Sequence, residues 1–317
     1  MNSSQYRNKQ LKYLAFRLKC KPHEIEYICS HLREYYGKRI ETKVDKKTGN
    51  PKTYKDGTIK KRVIRPSYKR LKVIQSSIKR NILSDVKLPK NVHGGVKKKS
   101  NITNGKEHQG NKFKFTTDLQ EFYPSVSFDR VYSMFLSLGY SNHIAHWLTK
   151  LTSKDFELPQ GTPTSTHIAN IVFLPIDEKL IQFCNENGIT YTRYVDDLTF
   201  SSQKDFKHLL NQILAIITAG GFKVSYRKTN YQGKQLITGI YSHNNYIDAP
   251  ENIKERAKKE LEGKSEVLPY NAYLNSIRKT NKNMKKGKLP TQKQHTLAGC
   301  SRHPTTQSQP KSVVSHH

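Results

Sequence analysis

Apolar residues recur every three to four positions over the first 35 residues. Leu11, Leu14, Ala15 and Leu18 form one stripe, and Ile25, Ile28, Cys29 and Leu32 form a second after Pro22. That spacing predicts two helices. Residues 37–61 lose the pattern and carry the turn signals TGNP and KDGT, which predict a β-hairpin or a mobile loop. Ile64-Arg65-Pro66 then leads into a helical stripe of Leu71, Ile74, Ile78 and Ile82. Residues 86–112, with Pro89, Gly94-Gly95 and three consecutive lysines, read as a basic irregular segment.

From Phe113 the pattern becomes orderly. Phe113, Phe115 and Thr117 alternate with Lys114, Thr116 and Asp118, the period of a strand. A helix follows, with Ser127 as N-cap and Val131, Met134, Phe135 and Leu138 on one face, and Gly139 lies past its end. A second spans roughly 164–187, interrupted at Pro175 and closed by Gly188. Ile189, Tyr191, Arg193 and Val195 then alternate with polar residues, and Leu198-Thr199-Phe200-Ser201 forms a β-prone run directly after Asp197. The two runs predict a hairpin with Asp196 and Asp197 at its tip. Ser202-Gln203-Lys204-Asp205 resembles a capping box opening a helix through Phe206, Leu209, Leu210, Ile213 and Ile217. Gly220-Gly221 ends that helix, and Phe222 to Tyr226 returns as a strand.

The order strand, helices, strand, strand, helix, strand is the split βαβ, or ferredoxin-like, arrangement. In it the first strand and the central hairpin are sheet neighbours, so Asp118 can meet Asp196 and Asp197 at one sheet edge. Taken alone, an Asp-Asp pair is compatible with an ordinary polar turn. Three converging carboxylates repel one another unless cations neutralise them. Magnesium, a hard ion with oxygen ligands, fits such a group, and two ions together suit nucleotidyl transfer. A solvated acidic edge, or a cluster neutralised by Lys or Arg, is the competing reading.

Composition narrows the partner. The 317 residues carry 56 Lys+Arg against 25 Asp+Glu, formally +31. Residues 31–110 hold 23 Lys/Arg against 6 Asp/Glu, and no acid occurs after Val267. Such a field favours a polyanion, with nucleic acid the first candidate. The 18 Tyr and 12 Phe interleaved with this charge suit base stacking. No apolar run approaches the roughly 20 residues needed to span a bilayer. The four cysteines are dispersed, with no CxxC pair, which fits a reducing cytoplasm.

Several runs resemble reverse transcriptase blocks in their expected order. They are Asp118-Leu119-Gln120-Glu121-Phe122-Tyr123-Pro124-Ser125, Leu158-Pro159-Gln160-Gly161-Thr162-Pro163-Thr164-Ser165 and Tyr194-Val195-Asp196-Asp197. Gly221-Phe222-Lys223-Val224 with Lys228, and Gln235-Leu236-Ile237-Thr238-Gly239, resemble the two that follow. Upstream, Arg62-Val63-Ile64-Arg65-Pro66 and Leu71-Lys72-Val73-Ile74-Gln75 resemble the fingers blocks. The subtype resembles the bacterial retron enzymes. Asn104-Gly105-Lys106-Glu107-His108 is similar to their Asn-Ala-x-x-His element with Gly for Ala, and Ile237-Thr238-Gly239 to their Val-Thr-Gly element with Ile for Val. Tyr194-Val195 departs from the commoner Tyr-Ala.

The resemblance implies an α+β right-hand polymerase with a ferredoxin-like palm, basic helical fingers and a helical thumb. Residues 1–112 would be the N-terminal helices and fingers, and 113–234 the palm, with a fingers segment interleaved around 140–165. Residues 235–284 would be the hairpin and thumb, and 285–317 a disordered basic tail. Asp118, Asp196 and Asp197 would ligate two Mg2+ ions, with Mn2+ a substitute and the Leu119 carbonyl a further ligand. Tyr123 would be the steric gate, Arg62 a triphosphate contact, Gln160 and Gly161 the nucleotide and template pocket, and Lys228 a group on the leaving pyrophosphate. Asn104, His108, Thr238 and Gly239 would contact RNA, with a buried structural role the alternative for His108. Partners would be dNTPs, a cognate structured non-coding RNA, its cDNA and an effector protein, in the cytoplasm. Another bacterial reverse transcriptase, or a non-catalytic RNA-binding scaffold for an effector, are the alternatives.

Overall fold

The computed structural model describes residues 3–45, 49–54, 56–233, 236–263 and 267–281. The tail expected from residue 285 onward lies outside them, as does Gln235. Helices α1 (Ser3–Leu18) and α2 (Pro22–Ser30) bury the two predicted stripes, Leu11, Leu14, Ala15 and Leu18 in the first and Ile25 and Ile28 in the second. Strands β1 (Arg39–Thr42) and β2 (Lys61–Ile64) form an antiparallel hairpin in which Glu41 faces Arg62. Helix α3 (Lys69–Asn81) buries Leu71, Ile74 and Ile78. The segment expected to be irregular contains a short helix, α4 (Asn101–Glu107), capped by Ser100, whose Oγ accepts from the Thr103 amide. Its Asn, Thr and Gly content hides it from a periodicity search, and its packing on the sheet stabilises it.

Strand β3 (Phe113–Asp118) leads into a short turn of helix, α5 (Phe122–Ser125), and then α6 (Phe128–Ser137), where Ser127 is the N-cap as predicted. Helix α7 (Asn142–Thr152) was not among the predicted elements. The long helix α8 (Ser165–Glu186) is continuous, so the expected interruption at Pro175 does not occur. Phe173, Ile176, Asp177 and Leu180 around the proline are buried, and these contacts hold the helix despite its missing N–H donor.

Strands β4 (Thr190–Tyr194) and β5 (Asp197–Ser202) form the predicted hairpin. Ser202 closes β5 instead of opening a helix. The helix entry moves to Asp205, whose carboxylate accepts from the Lys207 amide ahead of α9 (Leu210–Ala219). The strand expected over Phe222–Tyr226 reduces to a single bridge between Val224 and Leu119. The chain there runs past the end of β3, makes a tight helical turn over Tyr226–Lys228 and only then pairs with β3 as β6 (Asn230–Gln232).

The sheet order β4-β5-β3-β6, with antiparallel neighbours throughout, is that of the split βαβ arrangement. Its core face carries Phe115, Tyr191 and Phe200, with Tyr191 and Phe200 stacked at 4.8 Å. Phe122, Phe173 and Phe222 form an aromatic cluster behind it. Beyond the sheet, β7 (Leu236–Ile237), β8 (Ile240–Ser242) and β9 (Ile247–Asp248) form a small meander. Helices α10 (Glu251–Glu262) and α11 (Pro269–Asn281) follow, and Ile102, Ile240, Ile247, Ala249 and Ile277 share a separate small core.

Candidate active site

The sheet register sets the site. Asp118 ends β3 and Asp197 begins β5, and the two are direct cross-strand partners. Tyr194 pairs with Asp197 across the hairpin, so Val195 and Asp196 are its two turn residues. The Leu119 amide donates to the Asp196 carbonyl at 2.9 Å and ties the turn to the exit of β3. Val195 adopts φ +60, a conformation that costs a β-branched residue about 1–3 kcal/mol and persists only when the surroundings impose it. Gly94 lies against this turn so closely that a Cβ there would sit 2.3 Å from the Val195 nitrogen.

Burial pushes the Asp196 carboxyl above its ordinary range, and the nearby Asp118 charge adds to it. Burial, then Asp196 and then Asp118, push Asp197 up to about 7. One cation opposes this crowding directly. Lys228, delivered by the Tyr226–Lys228 turn, places its Nζ 2.6 Å from Asp118 Oδ2. Among the described residues no three His, Cys, Asp or Glu side chains are already arranged as a metal-binding group. The aspartates are gathered, but the set is not closed. The donor set still fits a hard divalent cation, because three oxygen-only carboxylates share more negative charge than one lysine neutralises. A cavity of about 200 Å³ opens beside them, walled by Asp118, Asp197, Thr116, Thr199, Lys228 and Thr238.

The other predicted residues divide into near and far. The Tyr123 hydroxyl hydrogen-bonds Thr166 Oγ1 at 3.0 Å, and burial raises its pKa, with the Asp196 charge contributing. Gly161, at φ +108, packs on the end of β2, where a Cβ would meet Ile64 Cγ2 at 2.7 Å. The Gln160 carbonyl accepts from the Arg65 amide. Arg62 is half exposed, and its guanidinium lies 3.4 Å from Glu41, not on the aspartates. Two unpredicted lysines flank the same hairpin, and one of them reaches the site electrostatically. Lys43 counters the Asp196 charge. Lys60 loses basicity, first through desolvation and then through Arg227, Lys43, Lys52 and Lys228.

His108 is fully buried, with Nδ1 2.7 Å from Ser201 Oγ and Nε2 2.7 Å from Thr192 Oγ1. Both ring nitrogens therefore face protein hydroxyls in this structure. Asn104 is equally buried and donates to Thr238 Oγ1, so its side chain also faces protein. Thr238 and Gly239, both at positive φ, form the β7–β8 turn, and the Thr238 carbonyl accepts from Asn101.

Sequence reasoning missed Arg193 and Asp177, a fully buried ion pair behind the hairpin. The only signal was a basic residue among the apolar positions of the β4 alternation, and it does not say which acid answers it.

Residues 45–242 match the family model described as reverse transcriptase (RNA-dependent DNA polymerase). The chain belongs to this family. Within it, the similarity runs to bacterial retron-type enzymes. The retron Ec86 reverse transcriptase of Escherichia coli is 34% identical over 138 residues, covering 42% of this chain and 43% of that protein. The retron Mx65 reverse transcriptase of Myxococcus xanthus is 32% identical over 197 residues, covering 54% and 46%. The matches thus span under half the length of either relative. Among solved structures, telomerase from Candida albicans in complex with a telomeric RNA fragment aligns at a TM-score of 0.42 and 10% identity over 76% of this chain and 55% of that one, a likeness too weak to carry an argument. No helix among the described residues is long and apolar enough to cross a membrane.

Proposed function

We propose that the chain is an RNA-directed DNA polymerase of the retron type. It copies part of a cognate structured RNA into single-stranded DNA attached to that RNA. The observation that carries this reading is the pairing of Asp118 with Asp197 across β3 and β5, with Asp196 in the adjoining turn. Two buried carboxyls there are held above their ordinary range, which suits a site that works with bound divalent cations.

In this reading the four-stranded sheet is the palm, the β1–β2 hairpin belongs to the fingers, and α10 and α11 to the thumb. Asp118, Asp196 and Asp197 would hold two Mg2+ ions, or Mn2+ in their place, with the Leu119 carbonyl a further oxygen ligand. Bound there, such ions would supply Lewis-acid activation of the attacking hydroxyl and charge neutralisation at the leaving pyrophosphate. Tyr123, whose ring is fixed by the bond to Thr166, lies under the sugar and rejects a 2′-hydroxyl. Gln160 and Gly161 border the nucleotide and template. Arg62 exchanges Glu41 for triphosphate oxygens, which a planar guanidinium can bridge. Lys228 leaves Asp118 and turns its ammonium to the pyrophosphate. Leu236 and Thr238 border the cavity from the side of the small meander, and Gly239 completes the turn beside Thr238. By the retron resemblance, synthesis starts from a 2′-hydroxyl of the cognate RNA, yields a branched RNA–DNA product and works with an effector protein in anti-phage defence.

Primer extension on an RNA template with dNTPs and Mg2+ tests the chemistry. Wild type extends, and an Asp196→Asn, Asp197→Asn variant does not; equal activity in the variant overturns the assignment. Sequencing co-purified nucleic acid for a 2′–5′ branch tests the subtype, and an unbranched product favours another bacterial reverse transcriptase. If wild type and variant are both inactive while RNA binding persists, the scaffold reading prevails.

A further inference from the structure

Arg193 is fully buried, and its guanidinium makes four hydrogen bonds. Nε and one terminal nitrogen hold the two Asp177 oxygens at 2.9 and 2.6 Å. The other terminal nitrogen donates to Asn170 Oδ1 at 2.8 Å and to the Val195 carbonyl at 2.9 Å. The guanidinium also lies over the Phe173 ring at 4.8 Å. Asn170, Phe173 and Asp177 are spaced three and four residues apart on α8, so one helix stripe builds the whole seat. Tyr191 adds a hydrogen bond to Asp177 from the neighbouring strand position. The bond that matters for chemistry is the one to Val195. That residue is the αL member of the two-residue turn carrying Asp196, a place where glycine would be unstrained. From the other side, Gly94 presses on the turn, and its carbonyl is held by Asn170 Nδ2 at 2.9 Å. Asn170 thus grips both the guanidinium below the turn and the backbone packed against it.

We infer that Arg193, seated by Asp177 and Asn170, is a positioning residue that locks Val195 in its αL conformation and thereby aims the Asp196 and Asp197 carboxylates. The inference rests on the polymerase reading of the site. Its physical content is geometric. A two-residue turn transmits a change at its first residue directly to its second. Misplacing a reacting group by about 1 Å costs on the order of 100-fold in rate. Arg193 itself touches neither substrate nor reacting atoms. Its effect should therefore fall on turnover, with substrate affinity left intact.

The test uses the full chain with two variants. Arg193→Lys keeps the charge but cannot reach Asp177, Asn170 and the Val195 carbonyl together. Asn170→Ala leaves the Arg193–Asp177 pair whole, so it keeps the fold even if the first variant does not. In folded variants, judged by a cooperative melt, kcat for dNTP incorporation should fall roughly 10- to 100-fold while KM for dNTP stays within about twofold. Adding Val195→Gly, which removes the αL cost at its source, should recover a substantial part of the loss. A purely structural arginine would give no such rescue. Unchanged kcat in a folded variant, KM rising in step with the loss, or no recovery with glycine overturns the inference. If wild type makes no DNA, the polymerase reading fails separately. Mn2+ binding measured by calorimetry then decides: weakened binding in Asn170→Ala supports the clamp, and equal binding overturns it.

Discussion

Two groups of charged side chains meet at the β4–β5 hairpin, one completed by Asp177 of α8 and the other by Asp118 of β3, and they are satisfied in opposite ways. Arg193 and Asp177 carry opposite charges, are wholly buried and are joined by two hydrogen bonds along one edge of the guanidinium. Asp118, Asp196 and Asp197 carry like charges, are less deeply buried and have one ammonium in direct contact among the described residues, that of Lys228 on Asp118. The first arrangement is complete without any ligand. The second leaves negative charge that a bound divalent cation would relieve. The contrast separates what holds the hairpin from what the hairpin is for, and it predicts that mutations in the two groups fail in different assays.

The largest effect is expected from the acidic group, on activity alone. Asp196→Asn or Asp197→Asn should reduce primer extension by roughly 10³-fold or more, equivalent to several kcal/mol of lost transition-state stabilisation. Neither should lower the melting temperature, because each removes a like-charge repulsion. A variant that melts early while retaining activity would break the comparison. The converse is Asp177→Ala, which strands a buried guanidinium and should cost about 3–5 kcal/mol of stability by denaturant titration. Replacing the pair with apolar residues of similar volume should cost far less stability than Asp177→Ala does.

The sequence made the acidic group legible and the neutral one nearly invisible, for a physical reason. Alternation in Phe113–Asp118 and Ile189–Val195, with the intervening helices, was enough to place Asp118 beside Asp197, because strand order and period 2 leave little freedom. Asp177 and Arg193 pair across sixteen residues of chain, through the facing surfaces of a helix and a strand. Neither position is odd enough alone to announce the other. The missed α4 and the misplaced final strand share a cause. Both form where contacts distant in sequence, to the sheet and to the end of β3, outweigh weak local propensity. Asn104 and His108 show the same limit from the other side. The resemblance to the retron element singled them out, but only burial reveals that they fasten α4 to β4, β5 and the β7–β8 turn.

A smaller effect sharpens the comparison through pH. The fold holds the Asp197 proton up to about pH 7, whereas the unfolded chain releases it near the ordinary carboxylate value of about 4. The folded state therefore binds more protons between those values, and this group's contribution to stability falls as pH rises through the window. In the metal-free protein, Asp197→Asn should gain melting temperature relative to wild type between pH 5 and 8. Adding Mg2+ to wild type should close much of that gap, since a cation that binds only the folded state relieves the same repulsion. A gap insensitive to both pH and Mg2+ would place the repulsion elsewhere.

The smallest expected effect belongs to His108, a buried group satisfied like the Arg193 pair but without charge. Desolvation lowers its pKa to about 3, with Lys114 and His93 contributing, while the unfolded chain titrates near 6.5. The sign is opposite to that of Asp197. Between pH 3 and 6.5 the unfolded state binds the extra proton, so stability is lost as pH falls through 6.5. The slope cannot exceed about 1.4 kcal/mol per pH unit for one group. His108→Gln keeps an amide able to reach Thr192 or Ser201 but does not titrate. The stability advantage of wild type over this variant should therefore shrink between pH 7 and 5, in denaturant titrations at fixed salt. Asp177→Ala, compared in the same way, should show a deficit that changes little over that range, because the guanidinium it strands stays charged throughout. If the His108→Gln deficit were equally flat, the histidine would be charged in the fold, and the distinction between satisfied and unsatisfied groups around the hairpin would need to be redrawn to include it.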